Sequence, residues 1–190
     1  MVKIYVVDNG GQWTHREWRT LRDLEVDTKI VPNTISFEEL VKENIDGLVL
    51  SGGTPRIGLE DDLGKSGEYL EKANFPILGI CAGHHFMGRF FGGLVTPSKA
   101  PEFGKVELIL LKQDSLFEAV PEKSIVWESH NDEVSQLPDD FETLAKSENC
   151  QIQAMKHKSK SIYGVQFHPE VEHTEYGEQI FKNFVKICER

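Results

Sequence analysis

Cys81 stands in "PILGICAGHHF" (residues 76–86), between an apolar run and a glycine-histidine pair. A cysteine does chemistry as its thiolate, and attack on a carbonyl carbon requires a base for the proton and donors for the oxyanion that forms. Gly79-Ile80-Cys81-Ala82-Gly83 has the G-x-nucleophile-x-G spacing of a sharp strand-to-helix turn, which lifts its central side chain to the top of a sheet. The helix start that follows would stabilise a thiolate and offer amides to an oxyanion. A buried structural thiol fits the same stretch, since free cysteine is among the most buried residue types. Downstream, "YGVQFHPEVEHT" carries His168, Pro169 and Glu170. Pro169 disfavours helical geometry at His168, so the segment is expected to stay extended, with His168 and Glu170 on the same side. A carboxylate placed there would hold the imidazole by accepting its second N–H. A surface histidine and glutamate at a strand end is the plainer reading of the pair alone.

The remaining histidines suggest no metal site. His84, His85, His130 and His173 lack H-x₃₋₅-H or HExxH spacing. His15 and His157 lie in polar contexts and are expected at the solvated surface. "GLEDDLGKS" is not a phosphate loop: five residues separate Gly58 from Gly64 where that loop has four between its glycines, and Glu60, Asp61 and Asp62 would repel phosphate.

These residues need elements to position them. "KIYVVDN", "TKIVP", "DGLVLSGG" and "FPILGI" are short apolar runs that read as strands. Between them, "THREWRTLRDLE" spaces Trp18, Leu21 and Leu24 as a helix with Thr14 as its N-cap, and "SFEELVKEN" opens on the capping box Ser36/Glu39. This alternation predicts an α/β fold with a mostly parallel sheet flanked by helices, since parallel strands need crossover elements. The glycine turns "NGGQ", "SGGTP" and "GICAGH" fall at the carboxyl ends of strands, where such sheets bind ligands. After residue 103 the runs "GKVELILL", "SIVWES", "FETLAKS", "CQIQAMKH" and "SIYGVQF" predict an antiparallel β extension. A final helix sets Ile180, Phe181, Phe184, Val185 and Cys188 on one face, which makes Cys188 a packing residue.

The 190 residues, 39% hydrophobic, fit one domain over 1–190. No run approaches the roughly 20 apolar residues of a bilayer span, and no secretory signal is read at the start, so no membrane is expected and the cytoplasm is the expected location. Three cysteines at wide spacing are expected to be reduced thiols. A net charge of −10 opposes a nucleic-acid partner.

With the cysteine elbow, "QFHPE" and the glycine turns together, the chain resembles the class I (triad) glutamine amidotransferases, end to end: "DNGGQ", "VPNT", "GLVLSGG", "PILGICAGHH", "EFGKV", "VWESHNDEV", "YGVQFHPEVEHT" and "GEQIFKNFVKIC". "SHNDEV" and "FHPEVEHT" favour the GMP synthase branch over the anthranilate or carbamoyl phosphate branches. The resemblance implies a flavodoxin-like sheet with a small antiparallel extension. It implies Cys81 as nucleophile, His168 as general base and acid, and Glu170 as its orienter. The oxyanion amides would come from Gly53 and Ala82, and the backbone around Ser129 and His130 would receive the α-amino and carboxylate groups of L-glutamine. The product ammonia would pass to a separate ATP pyrophosphatase (synthetase) subunit that aminates XMP to GMP. No cofactor is implied in this chain; ATP and magnesium would belong to that partner, whose "SGGVDS" phosphate loop is absent here. Two positions depart from the family pattern. His85 replaces a glutamine that touches substrate, which would add an imidazole titrating near neutrality. "SGGTP" replaces "SGGP", which adds a residue beside the oxyanion turn. A catalytically silent glutamine-sensing module on the synthetase is the alternative these departures leave open.

Overall fold

The computed structural model describes residues 1–189. One nine-stranded sheet runs through them in the order β2-β1-β3-β4-β9-β8-β7-β5-β6. The parallel half comprises β1 (Ile4–Asn9), β2 (Ile30–Pro32), β3 (Gly47–Gly53), β4 (Ile77–Ile80) and β9 (Ile162–Val165). Apart from the edge strand β2, its apolar strands are buried on both faces, and alternate residues point to opposite helical layers. Ile4, Val6, Val49 and Leu78 pack with Leu21 of α1 (Thr14–Asp23) and with Phe181 and Phe184 of α5 (Gly177–Cys188). Tyr5, Val7, Leu48 and Leu50 face Leu40 of α2 (Phe37–Lys42), Leu70 of α3 (Ser66–Lys72) and Met87 of α4 (Ala82–Phe90).

The antiparallel half is larger than expected and starts earlier. β5 (Leu94–Leu110) pairs along β6 (Lys123–Gln136), followed by β7 (Phe141–Lys146) and β8 (Ala154–His157). The start of β5 carries Pro97 and Pro101, which interrupt a strand pattern in sequence; the ladder accommodates them with a shift of register between Pro97 and Glu102. β9 then rejoins the parallel half beside β4, and Ile80 pairs with Val165. That adjacency carries the chain after β9 back to the end of β4.

The Ser36 capping box forms: the Glu39 N–H donates to Ser36 Oγ at 3.2 Å, and the Ser36 N–H to Glu39 Oε2 at 3.0 Å. Thr14 is not the cap of α1. Trp13 occupies that position without a side-chain cap, and the Thr14 hydroxyl lies 3.3 Å from Asp8 Oδ1 and Gly11 O, tying the helix to the turn after β1. Cys188 packs against Gly47, where any Cβ would collide with its sulfur. All three thiols are free. Among the described residues no helix is long and apolar enough to cross a membrane.

Candidate active site

Between β4 and α4, Cys81 has φ 48° and ψ −103°, a conformation that an L-residue adopts only when its surroundings enforce it. Neighbouring glycines allow the turn to close. A Cβ on Gly79 would lie 2.8 Å from the Gly83 carbonyl carbon, and one on Gly83 would collide with Leu50 O. The Cys81 N–H donates to Val165 O at 2.9 Å, fixing the elbow to the end of β9. Its sulfur lies 3.8 Å from both Ser129 O and Gln166 Nε2.

From β9 the chain continues to His168. Its Nδ1 is 2.7 Å from Glu170 Oε1, and both side chains are buried. The expected extended geometry is not what joins them. β9 stops at Val165, and Pro169–Glu170 form a turn in which the Val171 N–H donates to His168 O at 3.3 Å. The backbone is held from two sides, by the His168 N–H to Trp127 O at 2.9 Å and by Thr174 Oγ1 donating to His168 O at 2.7 Å. The Trp13 indole packs edge-on to the imidazole at 4.5 Å. Burial would push the imidazole pKa down; the Glu170 carboxylate and the Cys81 thiol outweigh it, and the net shift is well upward.

Cys81, His168 and Glu170 share a cavity of about 370 Å³ with Gly53, Ala82, His85, Ser129 and His130, the residues named through the resemblance. Close approach explains the two glycines of "SGG". A Cβ on Gly52 would lie 3.1 Å from His168 Cε1, and one on Gly53 would collide with Asn9 O.

His85 differs from its expectation. Its Nε2 sits 2.6 Å from Gln166 Oε1, and burial pushes its pKa down to about 4, so the ring is neutral throughout the physiological range. His85, Gln166 and Cys81 thus form a chain of contacts reaching the sulfur. The His130 imidazole is buried and engaged at both nitrogens: Nε2 lies 2.9 Å from Glu102 Oε2 and Nδ1 2.8 Å from Asp132 O. Burial works against its charged form, but the Glu102 hydrogen bond and the Glu128 charge raise its pKa. Glu102, His130 and Cys150 each present a possible ligand atom within 4.8 Å of one another. Hydrogen bonds already engage this cluster, since Ser147 Oγ and Gln153 Nε2 donate to Glu102 at 2.6 and 2.8 Å. His157 is not at the surface. Phe91 and Phe141 pack against its ring, and burial lowers its pKa.

Glu17 is a site residue that the motifs did not reveal. It lies buried in α1, lines the cavity and accepts the Gly52 N–H through Oε1 at 3.3 Å. Burial, then the Glu170 charge, raises its pKa well above the usual carboxylate range. Its signal was helical spacing: Thr14, Glu17 and Leu21 form the buried stripe of α1. Arg56 and Asp132 were also missed. The guanidinium grips the carboxylate through Nε at 3.0 Å and Nη2 at 2.6 Å, joining the loop after β3 to β6 at the rim of the cavity.

A cysteine on a strained elbow, beside a histidine oriented by a carboxylate, is the arrangement that thiol-dependent acyl transfer requires, here on an α/β sheet. The model of the family Glutamine amidotransferase class-I matches residues 5–188, and the chain belongs to that family. It is 56% identical over 189 residues to a protein of Thermoplasma acidophilum named as one subunit of glutamine-hydrolyzing GMP synthase, covering 99% of this chain and 94% of the relative. The protein of the same name from Pyrococcus abyssi is 49% identical, with 97% of this chain and 98% of the relative covered. A crystal structure from T. acidophilum, described as that of a GMP synthase subunit, superposes with a TM-score of 0.94 over 100% of this chain and 94% of that one at 55% identity. A glutamine amidotransferase from Thermotoga maritima shares the fold alone, with a TM-score of 0.73 at 19% identity over 97% of this chain and 81% of that one.

Proposed function

We propose that this chain is the glutaminase subunit of a two-subunit GMP synthase, one unit over residues 1–190 working in the cytoplasm. The observation that carries the mechanism is the 2.7 Å His168–Glu170 contact beside Cys81 on its elbow. His168 takes the thiol proton, and the sulfur of Cys81 attacks the side-chain amide carbon of L-glutamine. Glu170 holds the imidazole by accepting from Nδ1, so Nε2 faces the reaction. The oxyanion is received by the backbone N–H groups of Gly53 and Ala82, and the backbone of Ser129 and His130 receives the amino-acid end of the substrate. His168 then returns the proton to the leaving nitrogen, ammonia departs, and a glutamyl thioester remains on Cys81. Water deprotonated by His168 attacks the thioester; glutamate leaves and the thiol is restored. Ammonia passes to an ATP pyrophosphatase subunit, which aminates XMP using its own ATP and magnesium. The names of the full-length relatives, each a subunit of glutamine-hydrolyzing GMP synthase, support this assignment.

Reconstitution with the candidate synthetase, ATP and XMP tests it. Cys81→Ala is expected to abolish glutamine-dependent GMP formation while ammonia-dependent synthesis survives. Loss of both activities would count against the reading. A wild-type chain that binds glutamine but forms no thioester would favour a sensing module.

A further inference from the structure

Free glutamine brings an α-carboxylate and an α-ammonium into the cavity with its amide. Desolvating the carboxylate without a cationic partner costs several kcal/mol. Among the described residues that line the cavity, Arg56 is the only lysine or arginine. The histidines do not replace it: His168 is committed to Glu170, His130 has a fully buried ring engaged with Glu102, and His85 is neutral.

Arg56 is also held in place. Asp132, buried and ionised, accepts from Nε and Nη2 of the guanidinium and from the Gly58 N–H at 3.1 Å. A guanidinium carries five N–H donors, so this fork leaves donors free for a second carboxylate. The side chain is 38% exposed, against 2% for Asp132, so Arg56 has the more accessible end of the pair. Arg56 sits in the "SGGTPR" loop, whose extra residue had no explanation from the sequence.

We propose that Arg56, clamped by Asp132, binds the α-carboxylate of glutamine and is a specificity-determining residue of this site. The inference rests on the glutaminase reading above. It predicts that the enzyme distinguishes glutamine from primary amides lacking the α-carboxylate, chiefly through KM.

The test uses the full chain in two forms. With the synthetase present, Arg56→Ala should raise the KM for glutamine about 10- to 100-fold, the loss of one charge-assisted contact, with kcat within about threefold. In a Cys81→Ser background, which blocks turnover, calorimetry compares L-glutamine with 4-aminobutanamide, which is glutamine without its α-carboxylate. Arg56→Ala should weaken glutamine binding at least about tenfold, to the level of 4-aminobutanamide, and change the latter less than about twofold. Arg56→Lys, which keeps charge but not the fork, should fall between. Equal weakening of both ligands would overturn the inference and make Arg56 a strut of the loop; unchanged glutamine affinity would overturn it too. Full glutaminase activity in Cys81→Ser would instead overturn the catalytic reading itself.

Discussion

At the scale of single residues, the site is built from polar groups removed from water, and each is acceptable only because of its neighbours. Glu128 in β6 is the extreme case. It is fully buried, His130 Nε2 lies 3.8 Å from its Oε2, and burial raises its pKa from 4.5 to about 8. The folded chain therefore holds a proton on Glu128 between those values while the unfolded chain releases it. Stability from this group is complete below about pH 4.5 and is lost as pH rises towards about 8. Glu128→Gln stays neutral at every pH. Denaturant unfolding at pH 5 and pH 8.5 should show the variant gaining stability relative to the parent as pH rises, and a pH-independent difference would mean that Glu128 is ionised in the fold. The charged groups acting on it are His130, Glu102 and His168, and the same measurement on Glu102→Gln isolates the share of Glu102.

At the scale of elements, the strand-to-helix turn is where backbone geometry becomes chemistry. Cys81 keeps a positive φ because β4, β9 and α4 lock both sides of it. Gly83 lets α4 approach β3 closely, and any side chain there would collide with the Leu50 carbonyl. Gly92, just past α4, also has a positive φ of 91°, but a Cβ there meets nothing within 4 Å. The two glycines should therefore respond differently to alanine. Gly92→Ala is expected to cost about 1 kcal/mol from backbone strain alone. Gly83→Ala is expected to cost more than about 3 kcal/mol and to remove glutaminase activity with it. Thermal unfolding of both variants checks the order; equal costs would show that the elbow tolerates the displacement.

At the scale of the whole molecule, one mixed sheet serves both purposes, with the parallel half supplying the elbow and the antiparallel half closing the cavity's far wall through Ser129–Asp132 of β6. The sheet is stable only while both faces are covered. α5 covers one of them with Ile180, Phe181, Phe184 and Ile187, and its start sits so close to the Pro169 carbonyl that any Cβ on Gly177 would collide with the oxygen. Removing α5 uncovers the core beneath the His168 turn, so a chain ending at Tyr176 is expected to lose native packing and to associate. Near-UV circular dichroism and gel filtration test this; a monomeric truncated chain with the parent's spectrum would contradict it.

Part of this protein was legible in its sequence because it depends on neighbours along the chain. Apolar runs marked the four strands of the first half, Ser36 and Glu39 marked a cap, and Gly79-Ile80-Cys81-Ala82-Gly83 marked an elbow, since each signal lies within a few residues of its effect. His168 and Glu170 were legible as a pair, although a turn rather than an extended strand joins them. The tertiary structure alone decided the rest. No motif marked Glu17, and only the fold sets it beside the Gly52 amide and Glu170. His157 looked solvated until Phe91 and Phe141 enclosed it. His85 looked titratable until burial and Gln166 made it neutral. Arg56 and Asp132 are joined across 76 positions of chain. Burial and pKa are set by which distant segments pack together, and local spacing carries no information about that choice.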